Sequence, residues 1–283
     1  KEGKIRSLVR IFPIILINGD VELKVGGIGS VSTLYEERGK GYMSILMKEA
    51  IRKMEEEGYE LSILWGDRHR YRNFGYEIGG KTVLVNITVR GLEKNGIKAV
   101  KTERYSGEEK VLLKIMDVYN RKRNRIKRDY DYFKLIYRKF NTGLYYSEEE
   151  GRFGYVVIET AGTETRLYEA GGDVNLILGI LRYLSDRFGK SSFTLEYARF
   201  EDIEEEILRT SSGWSVVPTG MIKIINLKKT IEAYKKEIER DISEGDGIIF
   251  EIEGKEKAGI RKKGGKIEII EEGKDVIRLK EEE

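Results

Sequence analysis

The sequence predicts an α+β chain with an α/β-like local order: two mixed sheets in tandem, each flanked by helices, and a small third α+β piece. Three observations predict it. The order strand, glycine-rich turn, helix, strand occurs near residues 28–64 and again near 165–197, with little identity between the copies. Short alternating strands bounded by glycine surround each copy. After Pro218-Thr219-Gly220 the pattern changes to one strand, a charged amphipathic helix and short strands parted by glycines. The expected domains are 1–105, 106–218 and 219–283.

The first unit opens on a hairpin. Residues 4–12 (KIRSLVRIF) alternate, and residues 21–25 (VELKV) alternate again after the turn residues Asn18-Gly19-Asp20. Gly27-Ile28-Gly29-Ser30-Val31 is a strand with glycines inside it, the sign of a bulge or of close approach by another backbone or a ligand. Met43, Leu46, Met47, Ala50 and Met54 share one face of the helix that follows, and Gly58 stops it. Residues 61–65 form a short buried strand, Gly66-Asp67 a turn, and residues 82–89 (TVLVNITV) a strand that closes the unit. Strand, loop, helix and strand make a right-handed crossover with parallel strands, whose ligands bind at the carboxyl ends, where Arg38 lies.

In the second unit, residues 108–125 read as a helix carrying Val111, Leu112, Ile115 and Val118 on its apolar face. Residues 143–147 and 154–159 read as a hairpin, 165–168 and 193–197 as strands, and 174–188 and most of 199–211 as helix. The Gly-Gly-Asp turn before residue 174 repeats the first glycine turn without its cations. Asp173 suits a helix N-cap, so this copy is expected to bind no phosphate. Beyond it, residues 221–226 read as a strand, 227–242 as a helix, and 274–283 as a charged tail.

Composition narrows the chemistry. With 52 basic against 49 acidic residues, net +3, bulk charge does not mark a nucleic-acid or polybasic membrane binder. No apolar run approaches about 20 residues, so no bilayer span is expected. The absence of cysteine excludes disulfides, thiolate metal sites and a cysteine nucleophile. One histidine, His69, leaves little for a metal cluster or a Ser-His-Asp triad, and no metal is expected. The polar start shows no signal peptide, and abundant Lys, Glu and Ile with no Cys suits a cytoplasmic protein of a heat-loving organism.

The most informative stretch is the loop from Glu36 to Met43. Successive backbone N–H groups before a helix, backed by its dipole and by Arg38 and Lys40, form an anion site suited to a pyrophosphate. Arg38-Gly-Lys-Gly-Tyr-Met43 resembles the Q/R-x-x-G-x-G/A motif of the GNAT N-acetyltransferases. Tyr71-Arg-Asn-Phe-Gly-Tyr76 resembles their tyrosine-bearing helix and FGY element. The whole order is similar to the enhanced intracellular survival type: a GNAT domain, a degenerate second GNAT domain and a sterol-carrier-protein-like C-terminal domain. Two departures stand out: Met43 replaces the last Gly/Ala, and the chain begins at what resembles the second strand of the fold, so the first strand and two helices are expected to be missing or trimmed.

The resemblance implies acetyl-CoA as acetyl donor, with cofactor-binding residues Val31, Ser32, Thr33, Arg38, Gly39, Lys40, Gly41, Tyr42, Met43 and Gly66. It implies Tyr71 as the general acid that protonates the CoA thiolate, and a primary amine, on a small molecule or a protein lysine, as acceptor. In that type the terminal carboxylate reaches into the site, which here would be Glu283, although residues 280–283 read as solvated. Family members form symmetric assemblies, which makes a homo-oligomer an expectation. From another class, the same loop serves a non-catalytic acyl-CoA or nucleotide sensor or an interaction module. Trp65 and Tyr76 are expected in the core or a pocket wall, His69 in an exposed loop, and the basic run 121–128 at a solvated helix end rather than on nucleic acid.

Overall fold

The computed structural model describes residues 3–137, 142–252, 254–273 and 275–279. The chain forms two compact units, Lys1–Gly80 with Thr219–Glu283, and Lys81–Pro218. Among the described residues no helix is long and apolar enough to cross a membrane.

The first unit begins with β1 (Ser7–Asn18), β2 (Val21–Thr33), α1 (Tyr42–Glu56), β3 (Leu61–Leu64), α2 (Arg68–Tyr71) and β4 (Glu77–Gly79). Asn18 faces Val21 across a two-residue turn, and Gly19 takes the left-handed φ of +63° that such a turn requires. The hairpin is longer than its alternating residues indicate, and it carries a bulge. Leu8 faces Ser32 and Arg10 faces Gly29, so Ser30 and Val31 together oppose Val9, with Ser30 at φ +53°.

The glycines of β2 admit neighbours on both faces. A side chain at Gly26 would collide with Met54 of α1, and one at Gly29 would lie 2.8 Å from the Phe12 ring. Helix α1 therefore sits close on the strand, burying Met47, Ala50, Ile51 and Met54. Strands β2 and β3 run parallel for three residue pairs, Val25–Leu61, Gly26–Ser62 and Gly27–Ile63, where their ladder ends. Ser62 Oγ donates to Gly26 O at 2.7 Å and lies 2.6 Å from Tyr76 Oη, a buried chain at the closed end of the opening.

The second unit contains β5 (Thr82–Thr88), α3 (Val89–Lys94), β6 (Glu103–Arg104), α4 (Glu109–Asn120), β7 (Asn124–Ile126), α5 (Tyr130–Ile136), β8 (Thr142–Glu149), β9 (Arg152–Glu159), β10 (Glu164–Gly172), α6 (Val174–Phe188), β11 (Ser192–Tyr197), α7 (Glu205–Thr210) and β12 (Ser211–Val217). Its sheet has the order β12-β5-β11-β10-β9-β8-β6. Strand β5 was expected to close the first sheet. It lies instead between β11 and β12, burying Val83, Val85 and Ile87 against α6. Alternation identifies a strand and its buried face but says nothing of which sheet receives it.

The repeat is geometric as well as sequential. Strands β10 and β11 are parallel for three pairs, Glu164–Ser192 to Arg166–Thr194. Strand β10 carries its own irregularity at Tyr168, since Leu167 faces Ile158 while Glu169 faces Val157.

The chain then returns to the first unit with β13 (Gly220–Ile224), α8 (Leu227–Asp241), β14 (Gly247–Ile252), β15 (Glu256–Lys263), β16 (Lys266–Ile270) and β17 (Val276–Leu279). Strand β13 enters the first sheet between β3 and β4, giving the order β4-β13-β3-β2-β1 within this unit. The last four strands form a separate sheet, β16-β15-β14-β17. Helix α8 serves both sheets: Leu227 and Ile231 pack on Ala258, Ile260 and Ile267, while Ala233 and Tyr234 pack on Val21, Leu23 and Val25. The expected charged tail contains β17, parallel to β14, because Val276 and Ile277 continue that sheet. Glu283 lies outside the described residues.

Ser62→Ala removes the donor to Gly26 O and the partner of the buried Tyr76 hydroxyl together, whereas Tyr76→Phe leaves the Ser62–Gly26 bond in place. Ser62→Ala is expected to destabilise the protein by about 1–3 kcal/mol and by more than Tyr76→Phe. Urea denaturation of the two variants tests this order, and a larger loss in Tyr76→Phe would contradict it.

Candidate active site

The site is built from the open side of β2 and the loop that follows it. Past the bulge the chain makes a helical turn, Tyr35–Glu37, and reaches α1 through Gly39 and Gly41, both at φ +77° with open space around them. These two glycines are there for backbone conformation, not for packing. Gly41 is the N-cap of α1 and offers no side chain, so the first N–H groups of a 15-residue helix lack a side-chain cap. In α6, Asp173 accepts from Asn175 N at 3.0 Å and Leu176 N at 3.1 Å. The two helices of the repeat thus differ at one atom group. One N-terminus already holds a carboxylate, and the other presents bare donors to an incoming anion.

The cations of the loop are held in different ways. Lys40 Nζ bonds Glu37 Oε2 at 2.8 Å, and Arg6 bonds the other carboxylate oxygen of the same buried residue. The Lys40 hydrogen bond, with the charges of Arg6 and Lys40, holds the Glu37 carboxyl below its ordinary range although burial pushes the other way. Lys40 was expected simply to neutralise a phosphate; it is already paired. Arg38 carries no such clamp and lies over the exposed Tyr35 ring, 5.2 Å from its centroid. The sequence does not reveal this clamp, since Arg6 is remote from Glu37 along the chain and is brought near it by the hairpin.

Val31, Ser32 and Thr33 lie on β2 beyond its three-pair ladder with β3. Tyr42 and Met43 begin α1, and Met43 packs against the core of this unit, which turns its side chain inward and leaves its backbone at the loop.

Tyr71 ends α2, whose N-cap Asp67 accepts from His69 N at 2.8 Å and from Arg70 N at 3.4 Å. Its ring is 7% exposed and belongs to the same cluster as Met47, Ile51 and Tyr76, with Val31 and Met43 against it. A side chain at Gly66 would collide with this ring. The close packing of Tyr71 is thus a sufficient reason for glycine at 66. Burial pushes the Tyr76 hydroxyl up to about 12, with Ser62 pulling the other way, which makes it a structural anchor.

Two other expectations need correction. Trp65 is 67% exposed and belongs to no core; its indole N–H donates to Thr219 O. The basic run 121–128 is not a solvated helix end, because α4 stops at Asn120 and the chain turns Lys122 and Arg128 inward. His69 is exposed as expected, on a helical turn rather than a loop.

Residues 1–79 match the model of the acetyltransferase (GNAT) domain family, so the chain carries an N-acetyltransferase domain. A structure from Enterococcus faecalis V583, described as a probable N-acyltransferase, aligns with a TM-score of 0.72 at 20% identity, covering 97% of this chain and 74% of that one. A GCN5-related N-acetyltransferase from Kribbella flavida aligns with a TM-score of 0.70 at 15% identity over 99% of this chain and 74% of its own. Eis1 from Mycobacterium abscessus aligns with a TM-score of 0.60 at 11% identity, covering 98% and 76%. At these identities the likeness is one of fold. No curated protein sequence matches the chain.

Because the folded-state pKa of Glu37 lies below its unfolded value of 4.5, its clamp stabilises the protein above that value. That contribution is lost as pH falls through the folded pKa. Glu37→Gln is expected to be less stable than the parent at neutral pH and to converge with it in acid. Thermal melts across pH check this; a stability gap that persists well below 4.5 would contradict the clamp.

Proposed function

We propose that the first unit transfers an acetyl group from acetyl-CoA directly to a primary amine, with Tyr71 as the proton donor to the departing thiolate. The observation that carries this reading is the uncapped N-terminus of α1, set beside a strand whose ladder ends after three pairs. The pyrophosphate sits on the N–H groups from Gly39 to Met43, with Arg38 supplying charge and Lys40 held at the edge by Glu37. The pantetheine arm pairs as an added strand with the backbone of Val31 to Thr33, and a backbone N–H there stabilises the tetrahedral oxyanion.

The reaction balances without a covalent enzyme intermediate. The neutral amine attacks the thioester carbon, the C–S bond breaks, Tyr71 gives its proton to the thiolate, and the amine proton leaves through a base or water. The absence of cysteine is consistent with direct transfer. The same reading makes the second repeat a GNAT-like unit whose anion site is closed by Asp173, and the final sheet the sterol-carrier-protein-like piece.

Arg38→Ala is expected to weaken CoA binding about tenfold in calorimetry. Tyr71→Phe should keep CoA binding and lower kcat by roughly 10²-fold in a thiol-release assay over a panel of amines. Unchanged turnover in Tyr71→Phe removes the acid role. Binding of CoA with no thiol release on any amine points instead to an acyl-CoA sensor.

A further inference from the structure

The second repeat has an opening of its own, and it is not empty of chemistry. Where the β10–β11 ladder ends, a cavity of about 580 Å³ lies between Leu167–Gly172 of β10 and Leu195–Ala198 beyond it, within the range that holds small organic ligands. Leu167, Ile177 and Leu195 give it apolar walls, and Tyr168 and Tyr197 give it aromatic ones.

Its interior charges can be counted. Glu169 is well partnered: its carboxylate accepts from Tyr137 Oη at 2.6 Å, Tyr155 Oη at 2.7 Å and Arg128 Nη1 at 2.7 Å. The Glu169 and Arg128 side chains are 8% and 10% exposed, so this pair is buried and mutually neutral. Arg128 is further fixed over the Tyr119 ring, 4.0 Å from its centroid. What is left is the ammonium of Lys122, beside Arg128 Nε and Asn124 Oδ1, two buried atoms of the same lining that have no hydrogen-bond partner. The Lys122 ammonium donates to the neutral carbonyl of Ala170 at 2.6 Å, in the stretch of β10 that β11 no longer covers. Burial holds this ammonium below the ordinary lysine range, the like charge of Arg128 adding to the effect and Glu169 and Glu204 opposing it.

Lys190 shows what a purely structural lysine looks like here. It is buried, and its Nζ bonds three carbonyls, those of Thr160, Ala161 and Gly162. Lys122 spends one donor on one carbonyl and borders a cavity. A single desolvated positive charge among apolar and aromatic walls asks for a single negative charge on an apolar body. A phosphate fits poorly, because Asp173 occupies the N-terminus of α6 and the exposed Asp202 and Glu204 offset the exposed Arg121 and Arg123 at the rim. An amine fits poorly because the charge of Glu169 is already matched by Arg128 and because a second cation would face Lys122.

We propose that this cavity binds a small organic carboxylate with an acyl or aromatic body, its carboxylate on Lys122. The site is separate from the donor site of the first unit and does not depend on that assignment. Calorimetric titration of the full chain with hexanoate and phenylacetate, each beside its neutral amide, tests it. The acids are expected to bind at least about tenfold more tightly than the amides. Lys122→Met should abolish that preference, and Ala198→Trp, at an exposed position on the mouth, should weaken every ligand. Arg38→Ala should change none of these affinities, which separates this site from the CoA site. Equal binding of acid and amide, no binding of either acid, or an unchanged preference in Lys122→Met would overturn the proposal. If Lys122→Met does not fold, unaltered binding in Ala198→Trp overturns it alone.

Discussion

Everything at the candidate active site depends on how briefly β2 and β3 stay together. Three parallel pairs fix the strands at one end, and the bulge at Ser30 and Val31 turns β2 away from a straight course. A longer ladder would satisfy the backbone of β2 on that side and leave nothing for a ligand to pair with. The closed end must then be strong, and it is. Ser62 and Tyr76 make a buried hydrogen-bond chain there, and Gly26 lets α1 come down onto the strand through Met54. That contact holds the last turn of α1, while Met43 in its first turn packs on the same core.

The two copies of this arrangement differ chiefly at the residue that ends the turn. Both have a three-pair ladder, an irregular first strand and a 15-residue helix. In one the turn ends on Gly41; in the other it ends on Asp173, whose carboxylate takes the donors an anion would need. The second opening is nevertheless lined by a buried ion pair and by Lys122.

Much of this was legible in the sequence because it rests on local rules. Glycines at positive φ, a helix face at regular spacing and an aspartate before a helix announce themselves within a few residues. The repeat could be read for the same reason, as order without identity. What escaped was set by partners far along the chain. Nothing near residues 121–128 tells that α4 stops at Asn120, or that Arg128 will meet Glu169 from β10. Nothing in residues 82–89 names β11 as a neighbour, and nothing near Glu37 points to Arg6. Trp65 looked like core by hydrophobicity, but the pleat of β3 had already ended.

The exchange of strands has a consequence for how this protein is made. The first sheet is interrupted after β4 and resumes only when β13 inserts between β3 and β4, after the entire second unit. A ribosome that has released the loop, α1 and Tyr71 has therefore released a sheet with a vacant lane, and both strands beside it stand with unpaired backbone until residues 220–224 emerge. The sheet of the second unit, with β12 at one edge and β6 at the other, has all its strands earlier. Synthesis runs from the candidate active site outward, yet maturation must run the other way, with the segment made first among the last to be finished.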